Sequence, residues 1–168
     1  MTTGVSRWRE PTSRLPLRWG TYHGRHLAGL LFIISGLIVL DGSNTYAVPF
    51  LLVGTVTHTT GWLILPAKGS RRLWAVVPSL AVVWLLLTGP QSLWFMAIPF
   101  LGWLLVRGRP LRSYATVVLV IAAGILLAYS FHDAHDEPWA FGIESAVVVG
   151  SAWLARWLAT TKRMTDRA

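Results

Sequence analysis

The sequence predicts an all-α, polytopic integral membrane protein: six transmembrane helices arranged as three helical hairpins, with the N- and C-termini cytoplasmic. Three observations predict it. Of the 168 residues, 54% are hydrophobic and 13% charged, where a soluble domain carries about 25% charged residues. The apolar residues form long blocks and not a stripe at helical spacing, as expected of helices that meet lipid on one side and other helices on the other. Finally, the Lys and Arg residues fall in clusters that lie on one side of a membrane when six helices alternate.

Residues 1–25 form a basic juxtamembrane segment with Arg7, Arg9, Arg14, Arg18 and Arg25, interrupted by Pro11 and Pro16. The prolines prevent a continuous helix, and Trp8, Trp19 and Tyr22 suit a segment lying along the lipid headgroups. The first apolar block spans residues 26–40. An Arg-rich start before a short apolar core also fits a signal peptide. Only Asp41-Gly42-Ser43-Asn44 follows, with no small-x-small cleavage site, so an uncleaved first span is expected. Arg25 lengthens that span by snorkelling to the interface.

Five further blocks cover residues 47–65, 73–87, 93–106, 114–131 and 139–158. Several are shorter than the roughly 20 residues of an untilted span. The third and fourth are separated only by Thr88-Gly89-Pro90-Gln91-Ser92, where Gly-Pro marks a tight hairpin. The bundle therefore occupies residues 26–159, and residues 160–168 form a short basic cytoplasmic tail.

Charge placement fixes the count. Beyond the N-terminal arginines, the basic residues are Lys68, Arg71 and Arg72, then Arg107, Arg109 and Arg112, then Arg156, Lys162, Arg163 and Arg167. The opposite connections, 41–46, 88–92 and 132–138, contain no Lys or Arg, whereas four or eight spans put basic clusters on the wrong side. Tyr46, Trp94, Phe131 and Trp139 mark the outer interface, and Trp19, Tyr22, Trp74, Tyr114 and Trp157 the inner one.

Helices entering from outside share a start. Ala47-Val48-Pro49-Phe50-Leu51, Ala97-Ile98-Pro99-Phe100-Leu101 and Pro138-Trp139 each place proline in a first turn, where it breaks no hydrogen bond. Duplicated hairpins and independent placement of proline both account for this.

Polar residues inside the apolar blocks are the candidates for chemistry. On the second helix Gly54, His58 and Gly61 share a face, with Thr55 and Trp62 beside them. Ser35 of the first helix lies at similar depth and is the expected partner of His58. One reading makes His58 a ligand or proton site. The other makes it a packing hydrogen bond between closely approaching helices, with the threonines bonded to their own helix. Glu144 is the one carboxylate expected within a span, and Gly142, Ala146 and Gly150 form a small-xxx-small ladder on the adjoining face, which suits tight packing. In the outer loop, His132, His135 and Asp136 are candidate metal ligands, against the plainer reading of a polar turn before a helix N-terminus.

Several classes are excluded or demoted. Without Cys there is no disulfide, thiol catalysis or Cys-ligated metal. There is no Gly-x-Ser-x-Gly elbow, Walker loop or His-Glu-x-x-His, and one deep His does not suit a bis-histidine haem. No cofactor is expected. The net charge of +8 is spread in short clusters, which argues for anionic lipid at the cytoplasmic face and against nucleic acid. Short connections leave function to the bundle, its rim or its lateral contacts. The expectation is a non-enzymatic accessory or oligomerising subunit acting through helix packing. A small transporter or channel around His58, Ser35 and Glu144 is the alternative, and a metal-dependent activity at the loop 132–137 the third. Arg-over-Lys usage and the loop-poor design suggest a bacterial inner membrane.

Overall fold

The computed structural model describes residues 11–14, 16, 19–43, 48–67, 70–131 and 137–160. Six α-helices follow in order: α1 (Tyr22–Asp41), α2 (Val48–Ile64), α3 (Arg71–Leu86), α4 (Ala97–Val106), α5 (Val117–Ser130) and α6 (Glu137–Thr160). Three 3₁₀ segments accompany them, at Pro11–Arg14, Pro90–Met96 and Leu111–Thr116, and no strand occurs among the described residues. The second and third 3₁₀ segments run directly into α4 and α5.

Three of these stretches are long and apolar enough to cross a membrane: Tyr22–Leu40, Leu111–Ser130 and Pro138–Thr160. Val48–Ile64 and Pro90–Val106 are shorter apolar helices. In α3 the apolar run is interrupted by Arg71, Arg72, Pro78 and Ser79. Large apolar side chains cover the outside, with Trp153 79%, Trp74 73% and Ile38 67% exposed. A water-soluble monomer rarely shows so much contiguous apolar surface, which is compatible with a surround of lipid.

Helix ends follow local chemistry. The first helix begins before its apolar block because Thr21 caps it, its hydroxyl accepting from the Gly24 amide at 3.1 Å. Pro49, Pro99 and Pro138 all lie within the first three positions of their helices. At the end of α4 the Arg109 amide donates to the Leu104 carbonyl and the Gly108 amide to that of Leu105. With Gly108 at φ 62°, this is a complete Schellman motif, and Pro110 follows. The α3–α4 turn needs Gly89, at φ 110°, and is tied by a Thr88–Ser92 hydroxyl contact of 2.7 Å.

Neighbours in sequence pack as pairs, α1 on α2, α3 on α4 and α5 on α6, while Pro90–Met96 also lies along α5. The closest approach is between α1 and α2. A Cβ built on Gly36 would sit 2.5 Å from the His58 amide nitrogen, and one on Gly61 2.6 Å from that of Ile33. Gly29 faces Gly61, and Gly36 faces Gly54. The two helices therefore touch through main chain at two levels. Gly124 does the same for α5 against Trp94. Buried apolar side chains fill three regions: Trp62, Leu65, Ala75 and Val76 between α1, α2 and α3; Phe100, Leu104, Val117 and Val120 between α4, α5 and α6; and Val82, Leu86, Leu93 and Leu127 towards the α3–α4 turn.

Candidate functional site

His58 sits where α1, α2 and α3 meet and is only 1% exposed. The Gly36–Gly54 contact brings the α1 backbone against it, so ring Nδ1 lies 3.3 Å from the Ile33 carbonyl. On the other side ring Nε2 is 2.9 Å from the Ser79 hydroxyl of α3. Trp62, one turn along α2, points its indole N–H between the two, 3.1 Å from His58 Nε2 and 3.0 Å from Ser79 Oγ. These partners fit one neutral tautomer, with the proton on Nδ1 donated to Ile33 and Nε2 accepting. Ser79 then donates to Nε2 while accepting from Trp62. Every polar atom of the triad is used, in a site lined by glycine backbone and apolar side chains.

The closed, fully bonded ring supports a packing role and offers no free nitrogen to a ligand. The threonines agree with it: Thr55, Thr59 and Thr60 donate to the Leu51, Thr55 and Val56 carbonyls of their own helix, each at 2.7 Å. The expected partner Ser35 is not part of the site. It lies on the exposed side of α1, because the face that meets α2 is the one carrying Gly29, Ile33 and Gly36. Ser79 takes its place. Nothing in one sequence fixes the rotation of α3, but a serine directly after a proline inside an apolar helix was the available signal.

Glu144 lies elsewhere. The buried face of α6 carries Ala140, Glu144, Ser151 and Ala155 and packs against α5 and the two 3₁₀ segments that precede α4 and α5. Ser113 of the latter segment reaches across to donate to the Ala155 carbonyl at 2.7 Å. Glu144 itself is 1% exposed, and neither of its carboxyl oxygens has a hydrogen-bond partner among the described residues. His58 is held by α1 to α3 and Glu144 by the α5–α6 side, so the two are not brought into one site.

Gly142, Ala146 and Gly150 lie on the outward face of α6. Among the described residues, a Cβ on Gly142 or Gly150 would meet nothing within 4 Å. Their counterparts Gly54 and Gly61 are fully occupied by α1. His132, His135 and Asp136 fall outside the described residues. Among those described, no group of three or more His, Cys, Asp or Glu is placed to hold a metal.

The chain matches no family model, no curated protein and no solved structure.

Proposed function

We propose that this is a non-enzymatic membrane protein of six spans, with both termini cytoplasmic, that works by lateral association through the outer face of α6. The observation that carries the reading is the unoccupied ladder Gly142, Ala146 and Gly150. Small residues let helix backbones approach closely in lipid, where no hydrophobic force drives association. The contact of α1 with α2 is an example of that packing within the chain. The likeness of the two glycine-lined faces, one filled and one open, supports a second copy of the chain as occupant. A basic inner face and a bacterial inner membrane complete the reading.

The chain has no native Cys, so Ala146→Cys introduces a single thiol on that face. Oxidation in membranes is expected to yield a cross-linked dimer, and Gly142→Leu or Gly150→Leu to prevent it. Monomer only, in membranes and in mild detergent, would defeat the reading. Reporters fused at Ser43 and Lys68 should report opposite sides of the membrane; the same side for both would overturn the topology.

A second reading rests on Glu144. A carboxyl group buried without a partner is costly in lipid and is characteristic of proton or cation pathways. Flux through proteoliposomes that is abolished by Glu144→Gln would favour it. His58 lends this alternative no support, since its ring is already fully bonded.

A further inference from the structure

An open cleft of about 580 Å³ lies at the end of the α1–α2 pair, between Trp19, Arg25, Thr60, Leu63 and Arg72. It is at the basic end of the molecule, beside the C-terminus of α2. Arg25 is 6% exposed, and its Nε donates to the Ile64 carbonyl at 3.1 Å. Its guanidinium lies 4.6 Å from the Trp19 ring centroid. Arg72 donates from Nη1 to the Leu63 carbonyl at 3.0 Å and from Nη2 to that of Ala67 at 3.4 Å, while its Nε is buried with no acceptor among the described residues.

Capping explains part of this, since cations at a helix C-terminus meet the negative end of its dipole. It does not explain the charge. A guanidinium carries five N–H donors, and these contacts use one on Arg25 and two on Arg72. Neither arginine has a carboxylate partner among the described residues. Both arginines line the same cleft, and burial, followed by the neighbouring Arg25 cation, lowers the pKa of Arg72. Two neighbouring cations with spare planar donors, one of them over the Trp19 ring, are complementary to an anion.

We propose that this cleft binds a phosphoryl group, held between the guanidiniums of Arg25 and Arg72. Planar guanidinium forks match phosphate oxygens, and two of them suit a group bearing one or two negative charges. The position of Trp19 and Arg25, at the start of a membrane-length helix, is that of a headgroup. Leu63, half exposed at the cleft wall, offers apolar surface to an attached acyl chain. The phosphoryl source is either an anionic phospholipid or a soluble phosphate. This site is independent of lateral association through α6.

The test uses the purified full-length chain. In native mass spectrometry it is titrated with phosphatidylglycerol and, separately, phosphatidylcholine; in a second arm its thermal unfolding is followed against inorganic phosphate. Phosphatidylglycerol is expected to be retained preferentially, and Arg72→Gln to weaken retention about tenfold. Arg72→Lys keeps the charge and the fold but loses the fork, and should fall between. Arg112→Gln, exposed and outside the cleft, should change nothing. Stabilisation by phosphate that disappears in Arg72→Gln, with no lipid preference, assigns the site to a soluble phosphate. Equal retention of both lipids without any phosphate effect overturns the proposal. So does an Arg112→Gln loss as large as that of Arg72→Gln, which would leave only diffuse charge attraction.

Discussion

His58 Nε2 and Ser79 Oγ lie 2.9 Å apart across the contact of α2 with α3, and this bond joins the Trp62–Ser79 and Arg72–Leu63 bonds in tying the α1–α2 pair to the rest of the bundle. Ser79 follows Pro78, whose missing amide frees the Trp74 carbonyl from its helical partner. The polar link and the interruption of α3 thus fall at the same level of the bundle.

Ser79→Ala is expected to lower stability by about 0.6–1.7 kcal/mol, the range for side-chain hydrogen bonds within membranes. The loss stays small because the Trp62 N–H still reaches His58. His58→Ala should cost more, since it opens a cavity and leaves the Trp62 indole with Ser79 alone. Thermal unfolding in mild detergent, followed by Trp fluorescence, measures both. A Ser79→Ala variant more damaged than His58→Ala would contradict the arrangement.

Gly36→Ala is expected to destabilise by about 1–3 kcal/mol, because the added methyl meets the His58 main chain and α1 must move away from α2. Gly142→Ala, by contrast, meets open space among the described residues and should leave the fold of the single chain unchanged or slightly firmer, since it removes glycine from a helix interior. The two variants, compared in unfolding midpoint and in dimer yield, separate packing within the chain from packing between chains.

Glu144→Leu should raise the unfolding midpoint. The carboxyl group has no hydrogen-bond partner to lose among the described residues, and an orphaned buried polar group costs about 1–3 kcal/mol. A lower midpoint in the Leu variant would mean that the carboxyl group is satisfied in the assembled protein, by a partner chain or an ion.

Gly108→Ala should cost about 1 kcal/mol, since φ 62° closes the Schellman motif at the end of α4 in a region alanine enters reluctantly. The same substitution at Gly102, which has ordinary helical geometry, tests packing against Ala75 instead.

The all-helical architecture was legible in the sequence, because composition and hydropathy are properties of whole blocks. The helical blocks, the prolines at their starts and the Gly54–His58–Gly61 face need no knowledge of neighbours. Partners do need it. Ser35 and Ser79 are equally plausible by depth, and only the rotation of α1, set by Gly29 and Gly36, turns Ser35 outward. The 3₁₀ openings of α4 and α5 were invisible to apolar periodicity, which gives a start but not a pitch. Arg25 and Arg72 read as members of two separate basic clusters, and their meeting depends on α1 and α2 being antiparallel and in close contact. The sequence places Glu144 within a span, but only packing reveals that its carboxyl group has no partner among the described residues.

The main-chain contact of α1 with α2 has a genetic consequence. At Gly102 the obstacle to a methyl group is the Ala75 side chain, 3.1 Å away, so Ala75→Gly should restore a Gly102→Ala variant. At Gly36 and Gly124 the nearest obstacles are backbone atoms at 2.5 Å, which no second-site change of side chain removes. Suppressors should be readily found for the first position and scarce for the other two, so that the glycines most in contact are the least able to drift.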